Sequence, residues 1–189
     1  MSIIFFRRAV FVFLFYGISR SVTHELVRHR AGFGFSQVSQ RYVSGKVLRF
    51  VERPEYQLYP HLDQEFQHDI DYAAYKYEKR ANDLLTLQQD GSGILSGEAK
   101  TEQRKKVQQA ARSVLPNETE APIVVSGNGR SWRHFVEMRA NEHAEIEIRR
   151  LAYETFTCLR QIAPIIFEDY EEILLPDGTK AVNTPFRKV

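Results

Sequence analysis

An uninterrupted apolar run at residues 9–18 (AVFVFLFYGI) most limits the folds that this chain can adopt. It is too short to cross a bilayer as a helix, because that requires about 20 apolar residues. With Arg7 and Arg8 before it, the run has the outline of a signal peptide, but no small-residue cleavage site follows. Because aromatic and β-branched residues dominate it, the sequence favours a strand buried on both faces over a secretion signal.

Residues 61–90 carry the clearest helical periodicity. Apolar side chains recur there every three or four positions, at Leu62, Phe66, Ile70, Ala73, Tyr77, Ala81 and Leu84. This spacing predicts an amphipathic helix of about eight turns. We expect its apolar face to pack in the core or in a subunit interface.

Shorter elements are predicted on either side of this helix. Before it, the pattern indicates a helix over 19–30 capped by Ser19 or Ser21, then a glycine-containing loop and a polar segment, and then a strand over 43–51. After it, the pattern indicates a helix over 98–114, a strand over 122–126 and a long helix over 131–162 that is broken near residue 141. Helices dominate this order, which is typical of an α+β protein. A length of 189 residues leaves room for one domain, with or without a small second lobe.

Positive charge is concentrated at the beginning of the chain. Residues 1–53 contain nine basic and two acidic side chains, a net charge of +7, whereas the remainder has a net charge of −5. This asymmetry indicates an anionic partner, either a phosphorylated small molecule or nucleic acid. Because the basic residues alternate with core-type aromatics, nucleic acid is the weaker alternative. The single cysteine, Cys158, excludes a disulfide scaffold and is typical of a reducing cytoplasm.

Common metal and phosphate motifs are missing from the sequence. His24 and His29 are five positions apart, which turns the second by about 140° on a helix and excludes the zinc-protease spacing. Gly32 and Gly34 lack the third glycine of a dinucleotide fingerprint, and no P-loop occurs. We therefore expect no metal site.

Two sets of basic residues are candidates for ligand binding. The first is Arg28-His29-Arg30, followed by Ser36, Ser39 and Arg41, and the second consists of Arg112, Arg130, Arg133 and Arg139. A solvated helix C-terminus is an equally good interpretation of the first set, since cations interact favourably with the helix dipole there. Arginines beside apolar neighbours, as in the second set, are usually paired or directed at a ligand such as phosphate.

The first set lies in a segment that resembles a known family. GISRSVTHELVRHR and RHRAGFGFSQVSQRYV, with the distal block ARSVLPNETEAPIVVSGNGRSWRHFVEMRANEHAEIEIRRLA, resemble the flavin-dependent thymidylate synthases and cover about half of the chain. The resemblance implies a small antiparallel or mixed sheet with long helices. It further implies methylation of dUMP to dTMP with FAD as cofactor, NADPH as reductant and methylenetetrahydrofolate as carbon donor. A cytoplasmic homotetramer with shared active sites is also implied, without nucleic acid or membrane partners.

The same resemblance implies a role for individual residues. The flavin would be bound by Arg28, His29, Arg30, Asn128 and His134. The nucleotide dUMP would be bound by Glu25, Gln37, Ser39, Arg41, Arg112 and Arg139, of which Arg139 and Ser39 would be catalytic. His143 is expected near the flavin or the folate. The flavin carries the carbon and hydride chemistry in this family, so no cysteine nucleophile is expected.

The chain departs from the family pattern at its beginning. Members of the family carry several tens of residues before GISR, and commonly Glu-His-Ala where this sequence has Arg7-Arg8-Ala9. We therefore expect residues 1–189 to form a single catalytic domain that lacks the family's N-terminal segment. The alternative is a truncated, non-catalytic homologue that keeps the dUMP-binding and assembly surfaces.

Overall fold

A computed structural model describes residues 8–39, 48–89 and 100–186 of the chain. The elements, in chain order, are β1 (Val10–Phe15), α1 (Arg20–Leu26), β2 (Phe33–Gln37), α2 (Pro60–Gln89), α3 (Lys100–Ala111), a 3-10 turn (Arg112–Val114), β3 (Ile123–Asn128), α4 (Gly129–Arg139), α5 (Ile146–Ile162), α6 (Pro164–Phe167), β4 (Glu171–Leu174) and β5 (Lys180–Asn183). Long helices with two small sheets confirm the predicted α+β class.

The chain divides into two compact units. The first unit comprises residues 1–18, 22–36 and 122–189, and the second comprises residues 19–21 and 37–121. The single catalytic domain remains a prediction. No helix in the described ranges is both long enough and apolar enough to cross a membrane.

A three-stranded sheet organises the first unit. Strand β3 lies between β1 and β2, and it pairs with β1 in antiparallel register from Val10 opposite Asn128 to Phe15 opposite Ile123. The strands predicted within residues 9–18 and at 122–126 are thus confirmed. The prediction of a loop and polar segment after residue 30 was wrong, because Phe33–Gln37 form a strand whose two phenylalanines face inward.

Side chains alternate strictly along β1. Phe11, Phe13 and Phe15 face the core, whereas Val10, Val12 and Leu14 are 61–64% exposed. The predicted strand is therefore present, but the expectation that both of its faces are buried was wrong. An apolar run without polar residues does not reveal this alternation, since both faces have the same hydrophobicity.

Trp132 on α4 is the centre of the aromatic core. Its ring is fully buried and makes edge contacts with Phe13, Phe33 and Phe135, at centroid distances of 4.9, 4.8 and 5.7 Å. The indole Nε1 donates a hydrogen bond to the carbonyl of Phe11 at 3.3 Å. This bond satisfies the one polar atom of the side chain and joins α4 to β1. Trp132 and Phe135 are thus packing residues of this core.

Two helices replace the long helix predicted at 131–162. Helix α4 begins after the cap residue Asn128, whose side chain accepts a hydrogen bond from the Ser131 amide at 2.9 Å. It ends at Arg139, and α5 begins after Glu145, whose carboxylate accepts from two amides of the first turn. The predicted break near residue 141 is confirmed.

A buried ion pair joins α4 to the segment after α6. Arg133 is 5% exposed, and its Nη1 and Nη2 donate to the two carboxylate oxygens of Asp169 at 2.6 and 2.8 Å. The hydroxyl of Thr184 also donates to Asp169, and the hydroxyl of Tyr170 donates to the carbonyl of Arg133. Asp169 and Tyr170 therefore belong to a buried network, although they stand in the acidic run of residues 168–172.

The second unit is built on the predicted amphipathic helix. All seven stripe residues of α2 are buried or half-buried, with Phe66, Ala73 and Tyr77 the deepest. Helix α3 packs against α2, and its Val107 and Ala111 are buried. It continues into the 3-10 turn, which ends at residue 114 as predicted, before Pro116. Most of the strand predicted at 43–51 lies outside the described residues, and Phe50 forms only an isolated bridge with Thr119.

Replacement of Trp132 by alanine tests the aromatic core. We expect Trp132→Ala to lower the free energy of unfolding by about 3–5 kcal/mol, because it leaves a cavity and removes the bond to Phe11. Urea unfolding followed by circular dichroism measures the change. The control is Tyr16→Ala, whose exposed side chain predicts a change within about 0.5 kcal/mol. Equal effects of the two substitutions would contradict the central role of Trp132.

The Arg133–Asp169 pair predicts a pH-dependent stability. Burial raises the pKa of Asp169, but hydrogen bonds from Arg133 and Thr184 outweigh burial and hold it below its usual value. The pair therefore stabilises the fold fully above the unfolded pKa of about 3.9, and this contribution is lost as the pH falls through the lower folded pKa.

We expect Asp169→Asn to destabilise the protein by about 3–5 kcal/mol near neutral pH, because it leaves a buried guanidinium uncompensated. The difference from the parent should shrink as the pH falls through the folded pKa of Asp169. Urea titrations across this acid range measure the difference in free energy of unfolding. The control is Asp83→Asn, because the side chain of Asp83 is exposed. A pH-independent difference would show that the carboxylate charge is not responsible.

Candidate functional site

The segment Arg28-His29-Arg30 lies on a turn directly after α1. The helix ends at Leu26, and the amides of Arg28 and His29 donate to the carbonyls of Glu25 and Leu26 at 3.2 and 3.1 Å. The helix predicted to reach residue 30 is therefore shorter. As a result the Arg28 and Arg30 side chains are exposed, while the His29 side chain turns inward and is half-buried.

Arg139 joins two of the predicted site residues into one cluster. Its Nε donates to Nε2 of His29 at 2.9 Å, and its Nη1 donates to Oε2 of Glu25 at 2.9 Å. The two contacts bring together residues that are 110 and 114 positions apart in the chain. We call Glu25, His29 and Arg139 the arginine cluster.

The imidazole of His29 lies in a partly apolar, cationic environment. It stands edge-on to Phe135 at 5.4 Å and to His134 at 6.1 Å between ring centroids. Burial, the Arg139 guanidinium and His134 together lower the pKa of His29 from 6.5 to about 4. His29 is therefore neutral at physiological pH, and burial is the largest cause.

The glycine loop is fastened to the start of α4. The Ser131 hydroxyl donates to the carbonyl of Ala31 at 2.8 Å, and Gly32 has a φ of 77°. A Cβ on Gly32 would lie 2.2 Å from the Ser131 hydroxyl oxygen and 2.7 Å from Asn128 Nδ2, so only glycine is accommodated there. Because Oδ1 of Asn128 serves as the helix cap, its Nδ2 is the side-chain donor left for a ligand.

The remaining residues that were predicted to bind dUMP belong to the second unit. Arg112 lines a cavity of about 400 Å³ together with Arg20, Gln109, Ser113 and Leu115. Two arginines in one small cavity make it suited to an anion such as phosphate. Gln37 and Ser39 also lie in this unit, and Arg41 lies outside the described residues. Sequence reasoning missed Arg20, although this residue stands inside the quoted GISR motif.

Other basic and titratable candidates have different surroundings. Arg133 is held by Asp169 in the core and is structural. His143 is exposed, next to Glu142, and borders a cavity of about 370 Å³ lined by Met138, Tyr170 and the β5 strand, apart from the arginine cluster. No grouping of three His, Cys, Asp or Glu side chains suited to a metal is found in the described part of the chain.

Comparison with known proteins identifies the family. Residues 5–165 match the profile of the family described as "Thymidylate synthase complementing protein". Proteins named flavin-dependent thymidylate synthase are similar over 89% of this chain: that of Mycolicibacterium vanbaalenii is 46% identical, and those of Mycobacterium bovis and Mycobacterium tuberculosis are 45% identical. The chain spans 65% of the length of each. The protein therefore belongs to the flavin-dependent thymidylate synthase family.

Proposed function

We propose that this protein methylates dUMP to dTMP, with FAD as the bound cofactor, methylenetetrahydrofolate as the carbon donor and NADPH as the reductant. The observation that carries the proposal is the arginine cluster. Residues Glu25, His29 and Arg139, which the family resemblance assigns to nucleotide and flavin binding, are in direct hydrogen-bond contact in a chain about 45% identical to named family members.

The residues around the arginine cluster suit a flavin. Arg28 and Arg30 are exposed guanidiniums on the turn, His134 is exposed on α4, and Asn128 keeps an amide donor. Such a donor set matches the phosphates and carbonyl oxygens of FAD. FAD, when bound, supplies the redox and carbon-transfer chemistry. The protein residues contribute binding, orientation and positive charge.

Arg139 is the residue that we assign to the pyrimidine of dUMP. A guanidinium stays protonated, so it stabilises negative charge that develops on a uracil ring without giving up its own proton. Glu25 balances part of its charge. We assign Arg112 to the nucleotide phosphate, with Arg20 in the same cavity as a second donor, and Gln37, Ser39 and Arg41 to further contacts with dUMP.

Assembly and location follow from the same family assignment. We propose a homotetramer whose active sites combine residues of several subunits. We also propose a cytoplasmic location, supported by the single cysteine, Cys158, which is exposed and unpaired on α5.

Two measurements on the purified chain test the proposed activity. The absorbance of bound FAD reports cofactor binding, and formation of dTMP from dUMP, methylenetetrahydrofolate and NADPH reports turnover. We expect both. A folded protein that binds neither FAD nor dUMP would contradict the proposal, and binding of dUMP without turnover would favour the non-catalytic alternative.

Substitution of Arg139 tests its contact with the substrate. We expect Arg139→Ala to weaken dUMP binding by about 2–5 kcal/mol, the range for losing one partner of a charged contact that the bound ligand shields from water. Isothermal titration calorimetry with dUMP measures the dissociation constant. The matched control is Arg150→Ala, because Arg150 is exposed on α5. An unchanged affinity in Arg139→Ala would remove Arg139 from the substrate site.

A further inference from the structure

Two of the three guanidinium nitrogens of Arg139 have protein partners. Its Nε and Nη1 donate to His29 and Glu25, whereas Nη2 has no hydrogen-bond partner among the described residues. The side chain is about one quarter exposed, so the residue is accessible to a ligand. Nη2 is therefore the guanidinium nitrogen left to donate to a ligand.

The contact with His29 fixes the chemical form of the imidazole. A guanidinium nitrogen only donates, so Nε2 of His29 must accept with a lone pair. This requires a neutral ring with its proton on Nδ1, because an imidazolium has two donors and no acceptor. Buried Phe135 packs against the ring edge-on and limits its rotation.

The charged groups around His29 favour this same form. Arg139 and His134 face the ring from α4, Glu25 approaches from α1 through Arg139, and Arg28 and Arg30 are its neighbours in the chain. The cationic groups outnumber the one carboxylate. A second positive charge on His29 would therefore be repelled and would also break the bond to Arg139.

We propose that His29 is a positioning residue, a neutral Nδ1–H imidazole that, together with Glu25, holds the Arg139 guanidinium so that Nη2 is presented to the substrate. A free arginine side chain loses rotamer entropy when it is ordered. Because the two protein contacts order Arg139 before the substrate binds, this entropy loss does not reduce the affinity for the substrate. Only the identity of the ligand, dUMP, rests on the proposed function.

Two substitutions separate positioning from simple packing. His29→Gln places a carbonyl oxygen where Nε2 lies and keeps an acceptor for Arg139, whereas His29→Leu fills a similar space without an acceptor. We expect His29→Leu to weaken dUMP binding about tenfold, by loss of the preordered guanidinium, and His29→Gln to stay within about threefold of the parent. Circular dichroism checks that both variants are folded, and Arg150→Ala is again the control.

Equal loss of affinity in the Gln and Leu variants would overturn the proposal, since packing alone would then explain the effect. Retained affinity in the Leu variant would overturn it as well. If the parent does not bind dUMP, the proposed function fails, and a measurement without ligand decides the positioning role.

That measurement is long-range ¹H–¹⁵N NMR on the uniformly labelled protein. We expect the Nδ1–H tautomer for His29 and a protected Arg139 Nε–H resonance that is lost in His29→Leu and kept in His29→Gln. An Nε2–H tautomer, or an Arg139 Nε–H that exchanges equally fast in all three proteins, would overturn the inference.

Discussion

The buried charge of Arg133 is the constraint on which the first unit depends. A guanidinium is expensive to remove from water, and it is tolerated here because Asp169 meets it with two hydrogen bonds. Tyr170 and Thr184 complete the network. Because Arg133 lies in the middle of α4, the pair fixes that helix to the segment after α6 and to the end of β5. His134 and Arg139 lie on the same helix, so the Arg133–Asp169 pair also fixes their positions.

The regular elements with a distinctive period were predictable from the sequence. The stripe of α2, the Pro116 limit of α3 and the break before α5 all appeared where expected, because periodicity and proline act locally. Strand β2 was missed because its glycine and polar residues are typical of a loop, and it becomes a strand by pairing with β3. Such pairing depends on residues about 90 positions away, which a local pattern does not contain.

The candidate site was predictable in its residues and not in its geometry. The motifs indicated Glu25, His29 and Arg139 as ligand-binding residues, but nothing in their spacing showed that they contact one another. Arg20 went unassigned because an arginine at the start of a helix has no pattern of its own, and only the shared cavity with Arg112 distinguishes it. The structural role of Arg133 was equally hidden, since its partner Asp169 is 36 positions away in the chain and no local pattern links the two.

Because side chains alternate along β1, the residues on its exposed face can be substituted without changing those on its buried face. β1 lies at the edge of the sheet that the structure describes, and its exposed side chains, Val10, Val12 and Leu14, make the outer face of this edge strand apolar. Exposed apolar edge strands invite association between sheets, which lowers solubility at high concentration. Threonine or lysine on the outer face alters colloidal behaviour while Phe11, Phe13 and Phe15 keep the core unchanged. Substitutions on the exposed face of β1 can therefore raise the solubility of the protein without altering the aromatic core on the opposite face.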